Sequence, residues 1–182
     1  ATGSTATAAY APGPTGTGTA SPHVQTVSVG KDGLVFTPDT IHAKVGEEIT
    51  FQFFPKNHSV VQADFNNPCN PSENGIFSGF FPTPAPGPSN KTFTITVKDD
   101  KPIWLYCSAL KPKPHCAAGM VAVINPPKTG PKTLDAFRAA AKQTTNSTSP
   151  ATPNGGDVES PKPSGSATTT SEPATFTGAA SS

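Results

Sequence analysis

The chain has 182 residues, 34% of them hydrophobic and 8% aromatic, with 22 prolines, 16 glycines and a net charge of +1. That length holds one ordinary domain, or a small one with tails. Between His23 and Pro126 eight Lys balance eight Asp plus Glu, so there is no basic stripe for nucleic acid, and the sequence contains no transmembrane run and no apolar signal sequence.

Residues 1–22 are almost entirely Ala, Thr, Gly, Pro and Ser. They cannot bury enough apolar surface to offset the entropy of ordering, and are predicted to be disordered. The abrupt start at Ala1-Thr2-Gly3-Ser4 reads as a mature form from which a secretion signal has been removed.

From His23 the pattern changes to short strands, and residues 23–128 are predicted to form one domain. His23 to Gly30 alternates, Lys31-Asp32-Gly33 is a turn, and Leu34-Val35-Phe36 begins the next extended piece. After a second turn at Lys44-Val45-Gly46-Glu47, Glu48 to Phe53 places Ile49, Phe51 and Phe53 on one face. Ser59 to Ala63 is a short strand with His58 at its start. Asp64 to Lys91 has no sustained period and reads as a long ordered loop, tethered by Cys69, with Phe77, Phe80 and Phe81 as core lining. Thr92 to Val97, Ile103 to Cys107 and Met120 to Asn125 close the set. About seven strands with turns at this spacing predict an all-β, Greek-key β-sandwich, compatible with parallel pairing of its terminal strands.

One short helix follows within residues 129–143, with Thr133 as N-cap, Asp135 in the first turn, and Leu134, Phe137 and Ala141 at helical spacing. It is predicted to pack on the sandwich or end the domain. Residues 144–182 are predicted to be a disordered Ser/Thr/Pro-rich stalk of the O-glycosylated kind. The small residues Thr177 to Ser182 suit attachment of a lipid anchor.

The chemistry concentrates in His58, Cys107, His115 and Met120, the last being the only methionine. Cys107 ends an apolar strand, a Pro-rich loop follows, and His115-x4-Met120 leads into the final strand. A thiolate and two imidazoles with a weak axial thioether are what mononuclear electron-transfer copper uses, because soft sulfur favours Cu(I) and imidazole accepts either oxidation state. His23 and His42, on strands without partners, read as ordinary surface histidines.

On His58-Ser59-Val60, on Cys107 with His115-Cys116-x3-Met120, and on the run Met120 to Asn125, the segment from Val24 to Asn125 resembles the cupredoxins, in particular the fungal cell-surface cupredoxin-domain proteins and the plant phytocyanins. The resemblance implies one copper ion, with His58, Cys107 and His115 as equatorial ligands and Met120 as axial. The seven residues between Cys107 and His115 make a longer loop than in typical plant members. Three cysteines leave one unpaired. If His115 faces a metal, Cys116 next to it on an extended segment faces away and is free to pair with Cys69; a Cys107–Cys116 bridge with Cys69 free is the alternative. The phytocyanin resemblance implies the Cys69–Cys116 pairing.

Three sequons mark a secreted surface, Asn57-His58-Ser59, Asn90-Lys91-Thr92 and Asn146-Ser147-Thr148. Asn90 and Asn146 are the N-glycosylation candidates, whereas a glycan on Asn57 would crowd His58. The expected function is that of an extracellular type 1 copper protein, monomeric and non-enzymatic, moving single electrons to an unidentified extracellular redox partner or small redox molecule. His115 is expected to be its electron port, with Lys111 and Lys113 placed to steer an acidic partner. Backbone N–H groups near Ser59 are expected to bond the Cys107 sulfur. Two rival functions use the same residues: copper binding and delivery at the cell surface, and a structural wall glycoprotein whose site is vestigial.

Overall fold

The computed structural model describes residues 22–160. Eleven strands and one helix follow in chain order: β1 (Val24–Val29), β2 (Phe36–Thr37), β3 (Thr40–Ile41), β4 (Glu48–Phe53), β5 (Asn57–His58), β6 (Val61–Ala63), β7 (Phe81–Pro82), β8 (Thr92–Thr96), β9 (Ile103–Tyr106), β10 (Val121–Ile124), α1 (Leu134–Ala141) and β11 (Asp157–Glu159). The larger sheet runs β11-β8-β4-β1-β2 and the smaller β3-β10-β9-β6, while β5 and β7 form a separate antiparallel pair. The expected sandwich is therefore present, and so is parallel pairing: β1 lies parallel to β4 with Val27 opposite Phe51, and β10 parallel to β3.

Alternation in β4 explains the larger sheet. Ile49, Phe51 and Phe53 are fully buried while Glu48, Thr50 and Gln52 are only partly so, as a strand with one face on a core requires. They meet Val27, Val29, Phe93 and Ile95 from their own sheet and Leu105, Ala122 and Ile124 from the opposite one. Val121-Ala122-Val123-Ile124 is buried at every position because the smaller sheet is covered on both sides. Ala122 and Ile124 face the sandwich interior, whereas Val121 and Val123 join Trp104, Tyr106, Phe137, Ala141 and the Cys69 and Cys116 side chains in a second cluster. A continuous apolar run is the pattern expected of a strand buried on both faces.

The helix builds that outer layer. Thr133 caps it, its hydroxyl accepting from the Ala136 N–H at 3.1 Å and satisfying one of the donors a helix start leaves free. Phe137 and Ala141 are fully buried; sealing a phenylalanine away from water contributes about 2–3 kcal/mol. The disulfide joins Cys69 to Cys116, 47 residues apart, and the entropy it removes from the unfolded chain is worth about 4 kcal/mol for a loop of that length.

Three pairings go beyond the sequence reading. β3 and β7 are two-residue strands whose length hides any period. The third is a correction: the stalk does not begin at residue 144, because 144–160 return over the domain. The Tyr106 hydroxyl donates to the Thr148 carbonyl at 2.6 Å, the Thr148 N–H donates to the Cys69 carbonyl at 3.0 Å, and β11 pairs antiparallel with β8. Polar residues with few apolar side chains are held here by hydrogen bonds to edges the sandwich would otherwise leave open, a contribution that composition does not reveal. The predicted disorder of residues 1–21, the stalk beyond 160 and the small residues at Thr177–Ser182 lie outside the described residues.

Candidate metal centre

His58, Cys107 and His115 converge at one end of the sandwich. Three elements deliver them: β5 carries His58, Cys107 follows directly on β9, and His115 sits in the loop that leads to β10. Their candidate ligand atoms lie within 4.8 Å of one another, and all three residues are buried. Among the described residues this is the one His, Cys and carboxylate cluster able to hold an ion. The His58 Nδ1 is 3.8 Å and the His115 Nδ1 3.4 Å from the Cys107 Sγ. Metal–nitrogen and metal–sulfur bonds of about 2.0–2.1 and 2.3 Å, opened to tetrahedral or trigonal angles, place nitrogen and sulfur about 3.5–3.8 Å apart. The gap fits one first-row ion.

Hydrogen bonds settle which ring nitrogen is free. The His58 Nε2 lies 3.2 Å from the Pro55 carbonyl oxygen, and the His115 Nε2 2.8 Å from that of Lys111. A carbonyl only accepts, so each Nε2 carries the proton and each Nδ1 turns its lone pair toward the sulfur. Burial lowers the pKa of both imidazoles; the bonds to Pro55 and Lys111 offset part of the effect, while His58 and Lys113 respectively feel and exert charge repulsion in the pocket, His58 from His115 and Lys113 upon His115. Both rings are thus neutral at pH 7, the form that binds metal.

The sulfur is the opposite case. Burial pushes the Cys107 thiol up to about 11, against the pull of N–H groups from Ala109 and Ser59. It is the one free cysteine, and it is fully buried. The Ser59 N–H points at it from 3.3 Å, in the place expected from the sequence. The Ser59 hydroxyl in turn accepts from the Ser108 N–H at 3.0 Å and pairs with the Ser108 hydroxyl at 2.8 Å. The two serines lock the strands on either side of the sulfur.

Backbone bonds tie the ligand positions to each other. The Cys107 N–H donates to the Met120 carbonyl at 3.1 Å, and the Met120 N–H to the His115 carbonyl at 3.0 Å. The His115 N–H donates to the Ala109 carbonyl at 2.9 Å, which closes the long loop on itself. Met120 is fully buried in the sandwich core beside Cys107.

Several contributors carry no sequence signal. Gly30 has φ +84°, and a Cβ there would come within 2.1 Å of the His58 Nε2, so only glycine lets that ring stand where it does. Arg138, on the helix to which the sequence assigned no chemistry, donates from Nε to the Gly119 carbonyl at 3.2 Å and from Nη2 to Asp39 at 2.7 Å. It thereby holds the residue immediately before Met120. The Ser147 hydroxyl donates to the Ser108 carbonyl at 3.2 Å. Such contacts span up to 99 residues and have no local pattern to read.

His115 is not an exposed port. It is 2% exposed, as is His58, because the Lys111 carbonyl and the turn after it fold over its edge. Both rings instead line a shallow pocket of about 210 Å³, shared with Leu34, Pro55, Lys56, Asn57, Lys111 and Pro112. His23 and His42 are exposed and stay outside the site. Phe77 and Phe81 are buried as expected, whereas Phe80 is 45% exposed.

A protein of the fungus Arthroderma benhamiae called "Probable GPI-anchored cupredoxin-1" is 37% identical over 163 residues, spanning 86% of this chain and 82% of that protein. The chain is a cupredoxin. A second protein of the same fungus, "Extracellular serine-rich protein", is 39% identical over 142 residues, 78% of the chain, which spans only about half of it, 54%. Solved structures similar to this cupredoxin include a "Novel Purple Cupredoxin from Nitrosopumilus maritimus", 13% identical with a TM-score of 0.42 over 55% of this chain and 96% of that one. An auracyanin from Roseiflexus castenholzii is 17% identical with a TM-score of 0.40 over 58% of this chain and 97% of that one. No family model matches the chain.

Proposed function

We propose that this cupredoxin is a type 1 copper protein of the cell surface that carries single electrons. Copper would be held by the Nδ1 atoms of His58 and His115 and the Sγ of Cys107, with the Met120 thioether as a weaker fourth ligand. One observation carries the reading: two imidazoles, each with its proton held outward by a carbonyl, aim lone pairs at a single buried thiol from 3.8 and 3.4 Å. Such a donor set supplies a one-electron Cu(I)/Cu(II) couple when copper is bound.

The protein's own part is to hold still. Pro55 and Lys111 fix the two rings, the Ser59–Ser108 clamp and the Ser59 N–H fix the sulfur, and the backbone bonds among Cys107, Met120 and His115 keep the ligand positions in register. A frame that barely moves suits both oxidation states and lowers the rearrangement each transfer requires. The N–H bond to sulfur stabilises negative charge there and so tunes the couple.

Burial favours a carrier over copper delivery, since ligands 0–2% exposed give a competing chelator little access. The presence of His58, Cys107, His115 and Met120 together favours it over a vestigial wall protein. The names of the two fungal relatives support an extracellular place and a lipid anchor. Asn90 and Asn146 are both exposed and suit N-glycans, while Asn57 is partly buried. No helix among the described residues is long and apolar enough to cross a membrane.

The test is the visible spectrum of the copper-loaded protein. A strong thiolate-to-copper band is expected, absent in Cys107→Ser and retained in Cys69→Ser. A colourless copper complex, or a band indifferent to Cys107→Ser, would sink the assignment.

A further inference from the structure

We propose that the pocket lined by both histidines is the docking site for a small hydroxyaromatic carboxylate, which gives one electron to the copper. The inference rests on the type 1 copper reading and names the partner chemistry which that reading leaves open.

Charge is the first argument. The three segments that build the pocket, residues 30–34, 55–58 and 111–115, hold Lys31, Lys56, Lys111 and Lys113 against the single acid Asp32, in a chain whose net charge is only +1. All four ammonium groups are on exposed residues. At physiological salt a charge is felt over roughly 8 Å, so an approaching molecule senses this local excess and not the balanced whole. The partner is an anion.

Size and lining narrow it further. About 210 Å³ is less than the roughly 300–1,000 Å³ that drug-sized ligands occupy, enough for a single ring. Leu34, Pro55 and Pro112 supply apolar walls, and Lys56 and Lys111 the cations that a carboxylate would meet. A ring with a carboxylate meets both conditions, and a hydroxyl on that ring makes it a one-electron donor.

The histidines leave no nitrogen for the visitor, because each Nε2 is held by a carbonyl. No bond to the protein therefore forms. One electron passes from the ring to copper(II), giving copper(I); the hydroxyl proton leaves to water and the donor departs as its neutral-oxygen radical.

The copper-loaded full chain, mixed without oxygen with 3,4-dihydroxybenzoate or, in parallel, 3,4-dihydroxybenzylamine, separates the outcomes. Loss of the visible band is followed, normalised to each variant's initial intensity. Bleaching by the carboxylate is expected to saturate with concentration. The double variant Lys56→Glu/Lys111→Glu should slow it about tenfold at low salt and speed the amine, with both effects fading near 1 M salt, where screening shortens to about 3 Å. Leu34→Trp, which narrows the pocket, should abolish saturation. If the ratio of the two donors' rates is the same in the wild type and the double variant, or if Leu34→Trp changes nothing, the docking site is wrong while the copper reading stands. A protein whose band neither these donors nor ascorbate can bleach overturns the electron-carrier reading and the docking site together.

Discussion

At the scale of single residues the site depends on atoms that do not touch the metal. Gly30 is the clearest case. In Gly30→Ala the added methyl would overlap the His58 ring and the backbone would be strained at φ +84°, so the ring must swing away from the sulfur. Copper affinity in chelator competition should fall about 10- to 100-fold, the usual cost of losing a ligand's support. Ser59→Ala asks a different question. It keeps the N–H that points at the sulfur but removes the hydroxyl 4.0 Å from that sulfur and leaves the Ser108 N–H without its acceptor, which should cost about 1–3 kcal/mol in denaturant unfolding and shift the visible band. The four ligand candidates were legible in the sequence because copper demands particular side chains at particular spacings. Gly30, Pro55 and Lys111 were not, since they act through a missing Cβ or through carbonyl groups that every residue possesses.

At the scale of elements the helix and the segment after it emerge as parts of the site's support. Arg138 ties α1 to the Gly119 carbonyl and to Asp39; Arg138→Ala should lower stability by about 1–3 kcal/mol and hasten hydrogen exchange at the amides of Met120 and Val121. Arg138→Lys should rescue little, because one ammonium cannot reproduce the two-armed contact. A chain ended after Gln143 should melt well below the full chain, having lost β11 and the acceptor of the Tyr106 hydroxyl. The long strands and the helix could be read from periodicity and capping. The two-residue strands and β11 could not, because pairing at a sheet edge is decided by the partner strand and not by the segment's own pattern.

At the scale of the whole molecule protons and copper are coupled. In the metal-free protein His58 and His115 sit below the ordinary 6.5, so the unfolded chain binds more protons than the folded one as pH falls beneath that value. Stability should decline on acidification. Cys107 works at the other end: raised from 9.0 to about 11, it keeps a proton that the unfolded chain loses, and metal-free stability should fall as pH rises between those values. Copper uptake at pH 7 should release about one proton per ion, that of the thiol, because both imidazoles are already neutral; a pH-stat titration reads this directly. Release nearer to none would show that the sulfur stays outside the coordination sphere.

The neighbouring positions of His115 and Cys116 set the disulfide against the metal centre. A reduced chain would offer copper three thiols, whereas joining Cys69 to Cys116 leaves it one, that of Cys107. The bridge thus keeps competing sulfur away from the histidines.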